Sequence, residues 1–376
     1  MIYRNFQGMN LSALGFGAMR LPVIGGDDGR IDEAAALRMV DTAMQNGVNY
    51  YDTAWGYHGE NSELVMGRAL ARYPRDSFYL ATKFPGYDAS NWGKVKQIFS
   101  RQLEKLGVDY FDFYLFHNVC EMNIDAYLDD EKYGIYSYLI EQKRQGRIRH
   151  LGFSCHGDLD VLRRFLEAYG EHMEFCQLQI NWFDWEFQNA KEKYELVQSM
   201  GIPVWVMEPL RGGRLAALGE EFMGSLRPLR PEESAAGWSF RFLQSLPGVA
   251  MTLSGMSSME QLQQNLATDE TDAPLNEQEC AALLDIAREM ASRTKVPCTG
   301  CRYCTSYCPM ELDIPRLLAL YNEHVFTGGG FLAPMALSAL PEDKQPSACL
   351  GCGACAAVCP QGIDIPGALA DFCEKL

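Results

Sequence analysis

Four side chains in the first third of the chain have the types needed to move a proton to or from a reacting oxygen. They lie in Tyr51-Asp52-Thr53-Ala54-Trp55-Gly56-Tyr57, in Ala81-Thr82-Lys83 and in Leu115-Phe116-His117. A tyrosine, with an ordinary pKa of about 10, exchanges its proton reluctantly at neutral pH. An ammonium beside it favours the phenolate and lowers that pKa. Lys83 is the candidate ammonium, and Asp52 would pair with it and hold it in place. Tyr57 is then expected to act as general acid in one direction and general base in the other. His117 would orient the reacting oxygen or help to donate the proton, and the two together would stabilise charge developing on it. Singly, each residue has a bland explanation: Asp52 and Lys83 as a structural ion pair, His117 as a hydrogen-bonded strand end. Their occurrence in series carries the expectation.

The segments around them show what must position them. Residues 1–285 alternate short apolar runs with stretches of helical period, the pattern of parallel α/β folds. Candidate strands are Leu14–Ala18, Val48–Asp52, Phe78–Lys83, Phe111–His117, His150–Ser154, Phe175–Gln179, Val204–Glu208 and Val249–Ser254. Candidate helices between them include Ile31–Asn46, Asn61–Tyr73, Trp92–Leu106, Gly157–Tyr169, Ala190–Met200, Pro231–Gln244 and Ser258–Ala267. Eight such units over about 280 residues predict a (β/α)8 barrel rather than an open sheet. A further helix, Asn276–Arg293, leads into the tail, which divides the chain into 1–293 and 294–376. In such barrels the chemistry gathers at the C-terminal strand ends. Asp52, Lys83 and His117 end three successive candidate strands; Ser154 with His156, Gln179, Glu208 and Ser254 end others.

These motifs, with Leu14-Gly15-Phe16-Gly17-Ala18-Met19-Arg20-Leu21-Pro22, Gly152-Phe153-Ser154, Glu208-Pro209-Leu210 and Gly255-Met256-Ser257-Ser258-Met259-Glu260-Gln261, make residues 1–285 similar to the aldo/keto reductases. That resemblance implies a nicotinamide cofactor, NADPH or NADH, and a small carbonyl or alcohol substrate. It implies that Ser154 and Gln177 bind the carboxamide and that Met207 stands where an aromatic ring often stacks on the nicotinamide. Gly17, Met19, Pro209, Leu210, Gly255, Ser257, Gln261 and Asn265 are its remaining cofactor contacts. Cys155 replaces a common asparagine. Relatives that prefer NADPH carry basic residues after the last strand, whereas this loop is neutral, so NADH is credible. Arg211 and Arg214 are candidates to meet a pyrophosphate, and Trp182 to line the mouth.

The tail carries a second chemistry. Cys298-x-x-Cys301-x-x-Cys304-x-x-x-Cys308-Pro309 is followed by Cys349-x-x-Cys352-x-x-Cys355-x-x-x-Cys359-Pro360. The pattern resembles bacterial-type ferredoxins with two [4Fe-4S] clusters. Three closely spaced thiolates can cap three irons from one loop, and the fourth must come from elsewhere. The resemblance assigns Cys298, Cys301, Cys304 and Cys359 to one cluster, and Cys349, Cys352, Cys355 and Cys308 to the other. The repeated Cys-Pro-Met-Glu-Leu-Asp-Ile-Pro and Cys-Pro-Gln-Gly-Ile-Asp-Ile-Pro support that crossing. Zinc sites usually pair their ligands and often include histidine, and neither run has one at ligand spacing. Disulfides need an oxidising compartment. Cys120, Cys155, Cys176, Cys280 and Cys373 read as buried or idle thiols. The insert between the runs holds a helical stretch, Ile314–His324. The whole resembles the iron–sulfur branch of the aldo/keto reductases: a (β/α)8 TIM barrel followed by a small, mainly helical ferredoxin-like domain.

Composition bounds the alternatives. The net charge of −16 argues against nucleic-acid binding, which wants a basic footprint. No apolar run is long enough for a bilayer, and no targeting segment is evident at Met1, so a cytoplasmic location is expected. A nicotinamide gives up two electrons as hydride and a cluster carries one. Three readings follow: an oxidoreductase whose clusters exchange electrons with a partner protein; a reductase whose clusters are structural or redox-sensing; and a non-enzymatic electron-transfer or binding protein.

Overall fold

The computed structural model describes every residue except 293–295, 299, 301, 303 and 360. It resolves into two compact units, Met1–Asp285 and Ile286–Leu376. The boundary expected at Thr294 lies outside the described residues.

The first unit opens with an antiparallel hairpin of β1 (Tyr3–Phe6) and β2 (Met9–Ser12). Its turn, Gln7-Gly8, has φ of +48° and +87°, the twist that suits a two-residue hairpin connection. Eight parallel strands follow: β3 (Leu14–Gly17), β4 (Tyr50–Asp52), β5 (Tyr79–Phe84), β6 (Phe111–Val119), β7 (Ile148–Cys155), β8 (Cys176–Gln179), β9 (Val204–Met207) and β10 (Val249–Gly255). They pair in chain order, and β10 closes on β3. The expected (β/α)8 barrel is therefore present. Its outer helices include Glu33–Gln45, Ser62–Leu70, Val95–Leu106, Leu159–Tyr169, Ala190–Ser199, Ala235–Gln244 and Met259–Thr268. Several start where a side chain accepts an otherwise orphaned N–H: Asp32 from Ala35, Asp158 from Val161, Ser258 from Gln261. The hairpin was not among the sequence expectations. Phe6 plugs the barrel, its ring 5.0 Å from Trp205 and 5.8 Å from Phe113.

Strand alternation positions the site. Tyr50, Ala81, Phe113, Leu115, Phe175, Trp205, Met251 and Leu253 pack into one buried cluster inside the barrel. Successive inward residues are two apart along a strand. One step beyond this cluster, or beyond Gly15 and Gly152, the inward positions are Gly17, Asp52, Lys83, His117, Ser154, Gln177, Met207 and Gly255. Each strand thus contributes one residue to the C-terminal rim.

The second unit is mainly helical. Ile314–Thr327 and Ile365–Lys375 each begin with Ile-Pro, and proline suits the first helical turn because its missing N–H would be unpaired there. Leu317, Leu318, Tyr321, Ile365, Leu369 and Phe372 share one core. The helix expected to end at His324 runs on to Thr327, where Gly328 takes the left-handed cap at φ +65°. Among the described residues, no helix is long and apolar enough to cross a membrane.

Candidate active site and thiol cavity

Lys83 is fully buried on the rim. Its Nζ donates to Asp52 Oδ1 at 2.5 Å, to Thr53 O at 2.8 Å and to Tyr57 Oη at 3.3 Å. Gln177 Nε2 donates to the other Asp52 oxygen at 3.4 Å. Burial pushes the Lys83 pKa down, but Asp52 and Tyr57 outweigh it and hold the pKa above its ordinary value. The strand behind is fastened from outside. Gln102 Nε2 donates to Lys83 O at 3.0 Å and to Glu63 Oε1 at 2.8 Å, and Glu63 pairs with Lys105 at 2.8 Å.

The Tyr57 phenol corrects one expectation. Lys83 does pull its pKa down, but burial is the larger effect and the net shift is upward. Tyr57 is therefore protonated at neutral pH. His117 is buried, and burial with the Lys83 charge holds its pKa well below 6.5, which leaves the imidazole neutral. Its Nδ1 has no hydrogen-bond partner among the described residues. Its ring stands edge-on to Tyr57 at 5.8 Å and to Tyr87 at 5.2 Å. Tyr87 was not singled out from the sequence; nothing in its neighbourhood marks it until the fold brings it to His117.

A cavity of about 200 Å³ opens at the C-terminal ends of β9 and β10. It gathers Pro209, Leu210, Gly255, Ser257, Gln261 and Asn265 from the expected cofactor contacts. Gly17, Met19, Ser154, Gln177 and Met207 do not line it. Gly17 lets β3 approach closely, since a Cβ there would sit 3.2 Å from Ser254 O. Ser154 Oγ accepts the Asn118 N–H at 2.8 Å, and Met19 is 42 % exposed. Gln261, in the first turn of the following helix, accepts the Ser257 N–H on its Oε1 at 2.7 Å, and Asn265 Nδ2 donates to Ser254 Oγ at 2.9 Å. The cavity also holds Arg20 and Glu208.

Two further expectations are corrected. Arg211 is buried, its Nε 2.9 Å from Asp184 Oδ1, and its guanidinium lies over Phe183 and Phe187. A guanidinium spent on a buried carboxylate is not available to a pyrophosphate. Trp182 does not line the mouth: it is fully buried, and its Nε1 donates to Ser239 Oγ at 2.9 Å. Cys155 is buried as expected, its thiol pushed up to about 12 by burial.

In the second unit, Cys308, Cys349, Cys352 and Cys355 surround one small cavity with Leu312 and Leu369. Cys308 thus joins the second cysteine run, not its own. Cys298, Cys304 and Cys359 pack in or against the core of the unit; Cys301 lies outside the described residues. All described cysteines are free thiols. No group of His, Cys, Asp or Glu among the described residues is placed to hold a single metal ion. Four thiols lining one apolar cavity supply the number and type of ligands that a [4Fe-4S] cluster takes.

Comparison with known proteins agrees with this architecture. Residues 13–224 match the aldo/keto reductase family and residues 297–363 match a 4Fe-4S dicluster domain. The first match spans more than half of the chain, which therefore belongs to the aldo/keto reductase family and carries a C-terminal 4Fe-4S dicluster domain. The chain is 29 % identical over 221 residues to probable aldo-keto reductase 1 of Glycine max, covering 57 % of this chain and 60 % of that protein. It is 28 % identical over 227 residues to the NADH-specific methylglyoxal reductase of Escherichia coli (strain K12), covering 55 % and 66 %. The chain thus spans less than two thirds of the length of these two relatives. An aldo-keto reductase structure from Bacillus halodurans, in its holo form, shares 25 % identity at a TM-score of 0.62, covering 76 % of this chain and 96 % of that one.

Proposed function

We propose that the barrel interconverts a carbonyl and an alcohol with a nicotinamide cofactor, and that two [4Fe-4S] clusters in the C-terminal domain exchange single electrons with a partner protein. We place the domain division at 293/294. The observation that carries the reading is the buried Lys83 held against Tyr57 and Asp52 on the barrel rim. The bound nicotinamide supplies or removes the hydride. The chain's own residues manage the proton. Tyr57, protonated at neutral pH, gives its O–H proton to the oxygen that gains charge in reduction. The Lys83 ammonium stabilises the phenolate left behind, and Asp52 keeps Lys83 charged and aimed. The neutral His117 offers a ring nitrogen to the same oxygen.

The cavity at the C-terminal ends of β9 and β10 is the proposed dinucleotide site. Ser154, Gln177, Gly17, Met19 and Met207 are the proposed contacts at the nicotinamide end; Pro209, Leu210, Gly255, Ser257, Gln261 and Asn265 take the remainder. Among the described residues the single cation on the cavity wall, Arg20, is paired with Glu208, and Ser257, Gln261 and Asn265 are neutral. A 2′-phosphate wants a charged clamp, so NADH is favoured over NADPH. One cluster takes Cys298, Cys301, Cys304 and Cys359, the other Cys349, Cys352, Cys355 and Cys308. Cysteines that hold iron as thiolates suit a reducing, cytoplasmic setting.

The test is anaerobic. Clusters are reconstituted, NADH or NADPH is added, and cluster absorbance is followed with and without a panel of aldehydes. Bleaching of the absorbance by the nicotinamide is the expected result. Cofactor consumption with aldehyde but no bleaching would reduce the clusters to structural or sensing parts. The absence of both bleaching and cofactor consumption would overturn the enzymatic reading.

A further inference from the structure

The wall of the barrel cavity carries a charged group that the proposed chemistry does not use. Glu208 directly follows β9 with φ of +54°. Its Oε2 accepts the Gly212 N–H at 2.6 Å, and its Oε1 lies 3.4 Å from Arg20 Nη2. A Cβ built on Gly212 would lie 3.5 Å from Arg20 Nη2 and 4.0 Å from Glu208 Oε2, so backbone donor, guanidinium and carboxylate meet at one point. The neighbouring donors are spent within the loop: Arg211 N–H on Glu208 O, Gly213 and Leu215 N–H on Leu210 O. The loop is also fastened from below. Asn181 Nδ2 donates to Glu208 O at 3.0 Å, and Asp184 holds Arg211. Arg211, Gly212 and Gly213 share its positive φ, at +47°, +67° and +93°. The Gly212 N–H is therefore aimed at a fixed place on the cavity wall.

A backbone N–H from a left-handed turn and a guanidinium, converging on one point, are a donor pair for an anion. Here the anion is the protein's own. We propose that Glu208 is an internal competitor for the phosphates of the dinucleotide: its carboxylate fills the anion site of the cavity, and a diphosphate binds by displacing it from the Gly212 N–H and Arg20. Glu208 thereby sets how tightly the cavity holds a dinucleotide. The inference rests on the dinucleotide reading of this cavity. Two anions cannot share one donor pair without repulsion. Displacement is feasible because both side chains reach solvent, with exposures of 45 % for Arg20 and 22 % for Glu208.

The experiment is a fluorescence titration of full-length, cluster-loaded protein with NADH and, separately, with NADPH, comparing wild type, Glu208→Gln and Glu208→Ala. The glutamine keeps an acceptor for the Gly212 N–H and removes the charge; its Kd is expected to fall about tenfold. The alanine should also bind more tightly, and if it fails to fold, as judged by circular dichroism, the glutamine variant alone decides. Wild-type binding with no gain in Glu208→Gln overturns the inference and leaves the dinucleotide reading standing. No binding of NADH or NADPH by any of the three proteins overturns both.

Discussion

At the barrel rim, Lys83 meets Asp52 across 31 residues of chain and Gln177 reaches Asp52 across 125. In the C-terminal unit, Cys349, Cys352 and Cys355 sit within a single short run, and only Cys308 comes from elsewhere. The first arrangement exists because eight strands close and each turns one residue inward at the same level. The second is largely written into local spacing, and binding its prosthetic group is itself part of folding. The rim should therefore tolerate changes in one side chain as a change in chemistry. The thiol unit should answer them as a change in structure.

Two reporters separate the regions, since all six tryptophans (Trp55, Trp92, Trp182, Trp185, Trp205, Trp238) lie in the barrel unit and the clusters in the other. The largest expected effect is that of Tyr57→Phe, which removes the proposed proton donor: kcat/KM for aldehyde reduction should fall about 10²–10⁴-fold. A fall below threefold would break the assignment of Tyr57. Next, Cys308→Ser should remove about half of the cluster absorbance and iron, since one of two ligand sets loses a member. Loss spread over both sets, or none at all, would undo the assignment of Cys308 as a ligand of one set. If Trp fluorescence also reported unfolding at the same temperature, the two regions would not be separable.

Acid is the third probe. Burial lowers His156 from 6.5 to about 4 and His117 in the same direction. Both stay neutral in the fold while the unfolded chain takes up protons near pH 6.5. Their stabilising contribution is complete above pH 6.5 and is lost as pH falls towards 4, by roughly 3 kcal/mol for His156 alone. Urea melts followed by tryptophan fluorescence at pH 7 and pH 4 should show this, and His156→Gln should flatten the difference. The smallest effect compares one helix cap in each region. Asp158 accepts from Val161 N at 3.0 Å and Asp364 from Gly367 N at 3.1 Å. Alanine at either should cost about 1 kcal/mol. The Asp158 change should be seen by fluorescence, the Asp364 change by cluster absorbance.

Much of this molecule follows from order along the chain. The alternation of apolar runs and helical stretches specified eight strands because strand and helix periods differ, and the polar strand ends marked the C-terminal rim because parallel barrels present those ends together. The cysteine runs needed no fold to be read, since ligand spacing is local. Tertiary structure alone decided the rest. The Tyr57 pKa turns on burial as well as on Lys83, and burial is a property of the closed barrel. Arg211 looked free until Asp184 met it, and Tyr87 looked idle until His117 did. Glu208 came to face Arg20 across 188 residues only because β10 closes on β3 beside β9. Sequence determines which groups are available and on which strand. Closure determines which of them meet, because desolvation and charge pairing depend on distances that chain order does not contain.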